Sequence, residues 1–411
     1  MTHVETQPSE LDQEAAEDAP LDLETVAIGH YFARFGTFFL ASFDEEDDDS
    51  IAAAHKAVLS SLRQDSRVQT LHSAPFRPHW SFCHPIYPSG RQATAERVLS
   101  GTDRVFALEF SDPLFIELRV PIKNQPVING EADVPTDHYW VAWDGITAVV
   151  LWEAGPDEVI APRSAGHILD DVLKTAAEDA GFLVLQQACS PECKNMFAHR
   201  DLRLIQIPGN RGIASGFVAG DDVGPASAIV ERDGSAKDVL RSICGTALPA
   251  SLEFAFFKNY ARRLFAMEDL AHELVTDLLG QDYAAIVRKR RPLLKRALSR
   301  LLRKDKKRGE RSVDELIASL WLLMASKDVL AGTVAAKRRS FHIQAADYET
   351  ELLYVADRRE DEHRLELLNL DFVRSAIEQK SSRLDNRIIA WATACGAFAA
   401  IIGAVIGRAW S

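Results

Sequence analysis

The chain has 411 residues, 47% of them hydrophobic and 26% charged, with a formal net charge of −13. This composition excludes a fully disordered or collagen-like protein, and the length leaves room for two or three domains with a real core. The charge is local: residues 1–50 hold fourteen acids and one base, Arg34, so residues 51–411 sum to zero.

Residues 1–24 are acidic and poor in aromatics, and are expected to form a disordered tail. They carry neither a basic nor an apolar leader region, and the five cysteines are sparse and odd in number. Both features place the body of the chain in a reducing cytoplasm.

An α+β head is expected over residues 25–248, a mostly antiparallel sheet with helices against one face. Val26–Phe43 reads as one long or two short strands, and Ile51–Leu62 as a helix. The acidic run Asp44–Asp49 reads as a solvated loop or helix start rather than a cation site. Val105–Phe110 and Leu114–Val120 read as strands joined at Ser111-Asp112-Pro113. Tyr139–Trp143 and Ile146–Trp152 flank Asp144-Gly145, a strong hairpin signal. Ala165–Ala180 is amphipathic and stops at Gly181, and Val184–Gln187 and Leu202–Ile207 are further strands.

Sixteen of the seventeen prolines fall at or before Pro249, and residues 249–387 are expected to form a helical bundle and stalk. Between Gly332 and Gly396 stand 63 residues without glycine or proline. As one helix they would be about 95 Å long. Leu370, Ile377, Leu384, Trp391, Phe398 and Val405 recur every seven residues, a stripe that needs either a second chain or other helices of this one.

Ile388–Gly407 holds no charge and is long enough to span a bilayer once as a helix. Arg374, Lys380, Arg383 and Arg387 precede it and only Arg408 follows, which orients the body to the cytoplasmic side. A single-pass tail anchor in the cell membrane is the expectation. Within it Ala399, Gly403 and Gly407 are the candidate close-packing positions for a second copy.

Arg288–Arg311 carries thirteen basic residues against two acids, with leucines on one helical face. Arg288, Lys289, Arg290, Arg291, Lys295, Arg296, Arg300, Arg303 and Lys304 are candidate contacts to anionic lipid or another acidic partner, the plain alternative being a solvated basic face. The stretch lacks interleaved aromatics, which disfavours nucleic acid.

Cys189, Cys193 and His199, with Cys83 from a distant loop, are the candidate ligands of a structural zinc. The C-x3-C spacing is less typical than C-x2-C, and the alternative is a set of scattered loop residues. No other cofactor is implied. The adjacent Cys83 and His84 could form a thiol and base only if the fold aimed one at the other.

No residue set argues for catalysis. The sequence therefore reads as a non-enzymatic sensor, scaffold or effector whose head binds an unidentified protein or small molecule. A soluble head, a long stalk and a membrane segment loosely resemble the layout of CorA-type magnesium channels. Those channels have two membrane helices with a Gly-Met-Asn signature between them, and this chain has neither. The resemblance supplies the alternative expectation of an oligomeric, ion-conducting or membrane-perturbing protein. A membrane-held enzyme of unknown reaction is the third.

Overall fold

Thirteen residues, His30–Ser42, form the first strand, β1. Their side chains alternate across the pleat: Phe32, Phe38 and Leu40 enter one hydrophobic cluster, while Ala33, Phe35, Phe39 and Ala41 enter another. A strand apolar on both faces has to be covered on both. The computed structural model describes residues 30–77, 81–88, 104–125, 127–128, 131–132, 136–153, 165–187, 197, 202–206, 217–218, 226–230, 235–290, 312–347 and 350–381.

After β1 come α1 (Asp48–Gln64), β2 (Val68–His72), β3 (Phe82–Ile86), β4 (Val105–Glu109) and β5 (Leu114–Arg119). A two-residue pair follows, β6 (Val127–Ile128) with β7 (Glu131–Ala132), then the hairpin β8 (His138–Trp143) and β9 (Thr147–Glu153). Next are α2 (Ala165–Asp179), β10 (Leu183–Gln187), β11 (Leu202–Gln206), β12 (Phe217–Val218) and β13 (Ala226–Val230). Helices α3 (Ala236–Arg290), α4 (Val313–Asp347), α5 (Val355–Leu367) and α6 (Asp371–Ser381) complete the described chain. The class is α+β, an antiparallel sheet with helices followed by a helical region.

Eleven strands form one sheet, antiparallel at every described pairing except β11 with β13. β1 is its spine, pairing with β11 and β10 and also with β9 and β4. Helices α1 and α2 pack on the face bearing Phe32, Phe38 and Trp143, and α3 packs on the opposite face. Helices therefore cover both faces, not the single face expected, because β1 and β9 bury apolar side chains on both sides. β4 and β5 are both present but do not form a hairpin: β4 pairs β3 and β1, and β5 pairs β2 and β8. Asp47 caps α1, its carboxylate accepting from the Ser50 N–H at 2.9 Å, with Asp48 and Asp49 in the first turn. The acidic run is thus the start of a helix.

The β8–β9 turn is buried. Gly145 has φ +89°, and the Leu40 N–H donates to its carbonyl at 2.7 Å. The Asp144 carboxylate accepts from the N–H groups of Ile146 (2.8 Å) and Thr147 (2.6 Å) and from the Thr147 hydroxyl (2.9 Å). Burial nevertheless lifts its pKa to about 7, opposed by the bonds from Thr147 and assisted by Glu109. A carboxyl raised in the folded state stabilises most below its unfolded pKa, and that contribution is lost as pH rises through the folded value. Relative to Asp144→Asn, which keeps the acceptor for both N–H groups, the natural protein should lose up to about 4 kcal/mol between pH 4 and 7. Urea unfolding of both chains across that range reads the difference, and parallel curves would refute it.

Helix α3 is a single element of 55 residues that includes Pro249, so it passes through the expected boundary at 248/249. The 63-residue run is not one stalk helix. It breaks around Thr350 and Leu353, both buried, and again at Leu368–Leu370. At the second break the Asn369 side chain accepts from the Asp371 N–H at 2.7 Å, a local turn that starts α6. Leu370 and Ile377 are buried within the chain's own core, so the first two members of the heptad stripe need no second chain. The expected tail, residues 1–24, and the expected membrane segment, residues 388–407, lie outside the described residues.

Candidate functional site

Helices α3 and α4 run antiparallel. Lys337 Nζ is 3.1 Å from Glu253 Oε2, while Lys327, ten residues earlier in α4, lines a groove with Leu264, eleven residues later in α3. At equal rise along both helices, Leu316 stands level with Leu274, and both are fully buried. Helices α5 and α6 run alongside α3 in the same direction: Lys258 meets Asp361, Glu268 meets the Asn369 N–H, and the His272 ring stacks on Phe372 at 4.0 Å. Consequently the C-terminal end of α3 at Arg290, the N-terminal end of α4 at Val313 and the C-terminal end of α6 at Ser381 lie at one end of this bundle.

Between α4 and α5 lies an open groove of about 890 Å³. Ala331, Val334, Ala335, Ile343, Leu365 and Leu368 supply its apolar lining. Lys327, Arg338 and Arg339 supply cations and His342 an imidazole, with Asp347 the one acid among the lining residues. Ion pairs hold most of these heads in place. Arg338 Nε is 3.0 Å from Glu362 Oε1, and His342 Nδ1 is 3.2 Å from Glu351 Oε1. Arg358 reaches Glu351 at 2.7 Å and Glu362 at 3.3 Å. The Arg358 hydrogen bond, with His342 behind it, lowers the Glu351 pKa. Arg339 is exposed and carries its charge to the lip. Chemically, such a groove suits an amphiphile with an aliphatic body and an anionic end.

A buried ion pair joins α3 to α5. Lys258 Nζ stands 3.4 Å from Asp361 Oδ2, donates to the Asp357 carbonyl at 3.3 Å, and lies 5.1 Å from the centre of the Phe254 ring. Burial raises the Asp361 pKa, with Lys258 and Arg262 pulling the other way.

The sequence-derived candidates fare unevenly. Arg288, Lys289 and Arg290 are the last residues of α3. Arg291, Lys295, Arg296, Arg300, Arg303 and Lys304 lie outside the described residues, as do Cys189, Cys193, His199, Ala399, Gly403 and Gly407. Cys83 and His84 are neighbours on β3 and so project to opposite faces of the sheet. Cys83 packs toward the α1–α2 side, where burial with Glu45 and Glu46 nearby raises its pKa. His84 instead contacts Glu109 at 2.6 Å and Phe256 of α3. The pair cannot act as thiol and base. Among the described residues, no three His, Cys, Asp or Glu side chains gather as a metal site.

Sequence reasoning missed the groove. Its basic cluster Lys337-Arg338-Arg339 was visible, but only the antiparallel return of α5 brings Leu365 and Leu368 opposite it. Among the described residues one helix, α4, is long and apolar enough to cross a membrane by length and composition. It packs on α3, whose Glu268, Asp269, Glu273 and Asp277 are charged. No protein-family model, curated protein or solved structure matches the chain.

Proposed function

We propose that this chain is a membrane-tethered, non-enzymatic binding protein whose helical bundle stands end-on to an anionic bilayer. The observation that supports this reading is the shared end of the bundle. Helix α3 ends at Arg290, α4 begins at Val313 and α6 ends at Ser381, and the basic run and the uncharged run adjoin these helix ends in the sequence. The basic run begins at the C-terminal end of α3, and the uncharged run follows α6 by six residues in the sequence. Cations would then meet phosphate headgroups where the apolar span enters, each contributing about 1 kcal/mol near the surface. The α4–α5 groove is the proposed ligand site, taking an anionic amphiphile.

Fractionation tests the tether. The full chain should remain with membranes through alkaline carbonate washing, and deletion of residues 388–411 should release it. Replacing the nine lysines and arginines Arg288 to Lys304 by glutamine should weaken binding of the deleted chain to anionic vesicles, with no effect on neutral ones. Recovery of the full chain in the soluble fraction would refute the tether, and equal binding to both vesicle types would refute the headgroup contact.

A further inference from the structure

Three side chains converge on one carboxylate. Glu362 of α5 is held by Arg338 of α4 at 3.0 Å, by Arg358 at 3.3 Å and by His342 Nε2 at 3.6 Å. Arg338 and His342 line the groove, and Glu362 meets them from the α5 side. The groups that would read the anionic end of a ligand are thus already engaged by an anion of the chain itself.

Helix α5 is placed to let that anion go. Both its ends are anchored. Leu353 and Tyr354 are buried before it, with the Tyr354 ring 4.5 Å from that of Phe254, and Leu370 and Val373 are buried after it. Between these anchors the buried side chains described are Asp357 and Asp361, with Leu365 half-buried in the groove wall. An element with so little buried apolar surface opens more readily than its neighbours. Arg358 stands one turn before Glu362 on the same helix, so Glu362 can leave α4 while still paired. Lifting α5 also returns Lys258 and Asp361 to water, and their hydration offsets the lost ion pair.

We propose that the groove takes an aliphatic carboxylate whose head displaces Glu362 from Arg338 and His342 and so loosens α5. The inference rests on the groove as the ligand site, proposed above, and is independent of the membrane tether. A carboxylate is the head chemistry that these groups already hold, and Ala331, Val334, Leu365 and Leu368 supply the apolar bed for its chain. Glu362 is then an internal competitor, and the shift in α5 is set by the difference between the ligand's contacts and those of Glu362.

The test measures decanoate and decanol binding by equilibrium dialysis, on the full chain in phosphatidylcholine nanodiscs with empty discs as the blank. Glu362→Gln should tighten decanoate at least about fivefold, the scale of one part-exposed charge interaction, and leave decanol unchanged. Arg338→Gln should weaken decanoate by a similar factor, and Glu360→Gln, at an exposed acid of the same helix, should change neither ligand. The natural chain gives a second readout that needs no variant: saturating decanoate should speed amide hydrogen exchange across residues 355–367 and leave α3 unchanged. Decanoate binding that Glu362→Gln leaves equal or weakens overturns the inference alone, as does slower exchange in α5. A chain that binds decanoate neither in its natural form nor as Glu362→Gln refutes the groove as a ligand site and this inference with it.

Discussion

Replacing Gly145 by alanine should destabilise the protein by at least about 3 kcal/mol, one of the two largest effects expected of any single change here. Two costs add. The backbone sits at φ +89°, in the left-handed region that L side chains rarely adopt. The new Cβ would also lie 2.2 Å from the Leu108 carbonyl oxygen, a backbone atom fixed in β4 and unable to swing aside. The internal control is Gly181→Ala at the end of α2, where φ is +83° but nothing lies within 4 Å. That change should cost only about 1–2 kcal/mol, so the difference between the two isolates the contact. Urea unfolding of both variants measures it, and equal losses would show that the β8–β9 turn can shift away from β4.

The second large effect is expected at the buried ion pair between α3 and α5. Lys258→Met should cost about 3–5 kcal/mol, because it leaves Asp361 buried without its cation. The side chains of Lys258 and Asp361 are 3% and 1% exposed, so water cannot substitute. The loss should be greater at pH 8 than at pH 5. Without Lys258 the Asp361 pKa rises further, and the cost of holding that carboxyl charged is met only above it. Lys258→Met with Asp361→Leu should recover most of the stability, since two apolar side chains of similar volume need no partner. A double variant no more stable than the single one would show that the pair does more than neutralise itself. Arg262, which also acts on Asp361, is the first residue to examine in that case.

Local chemistry was legible in the sequence wherever one residue dictates a backbone conformation. Asp144-Gly145 announced the hairpin and Gly181 the end of α2, while the Asp44–Asp49 run, legible as a loop or a helix start, proved to lead into α1. Pairing was not legible. Nothing in Val105–Glu109 and Leu114–Arg119 says that adjacent strands will seek different partners, because that choice depends on β1 offering β4 a place beside Ala41 and Ser42. The helical region misled for a related reason. A run without glycine or proline permits one long helix but does not require it, and the burial of Thr350, Leu353 and Tyr354 outweighs continuity. The signal that was available, Asn369 two residues before Asp371, is a turn former inside a helical pattern. The groove followed from that fold-back and could not be read before it. The membrane segment, by contrast, was read from length and charge alone and lies outside the described residues.

The position of β1 in the chain has a consequence for synthesis. It is made first, yet its neighbours Val105–Glu109, Thr147–Glu153, Leu183–Gln187 and Leu202–Gln206 all come later. At about 5–20 residues per second, the last of them leaves the ribosome roughly 8–30 seconds after Ser42. Until then the two faces of β1 are only partly covered, so Phe32, Phe35, Phe38 and Phe39 stay open to non-native apolar contacts during translation.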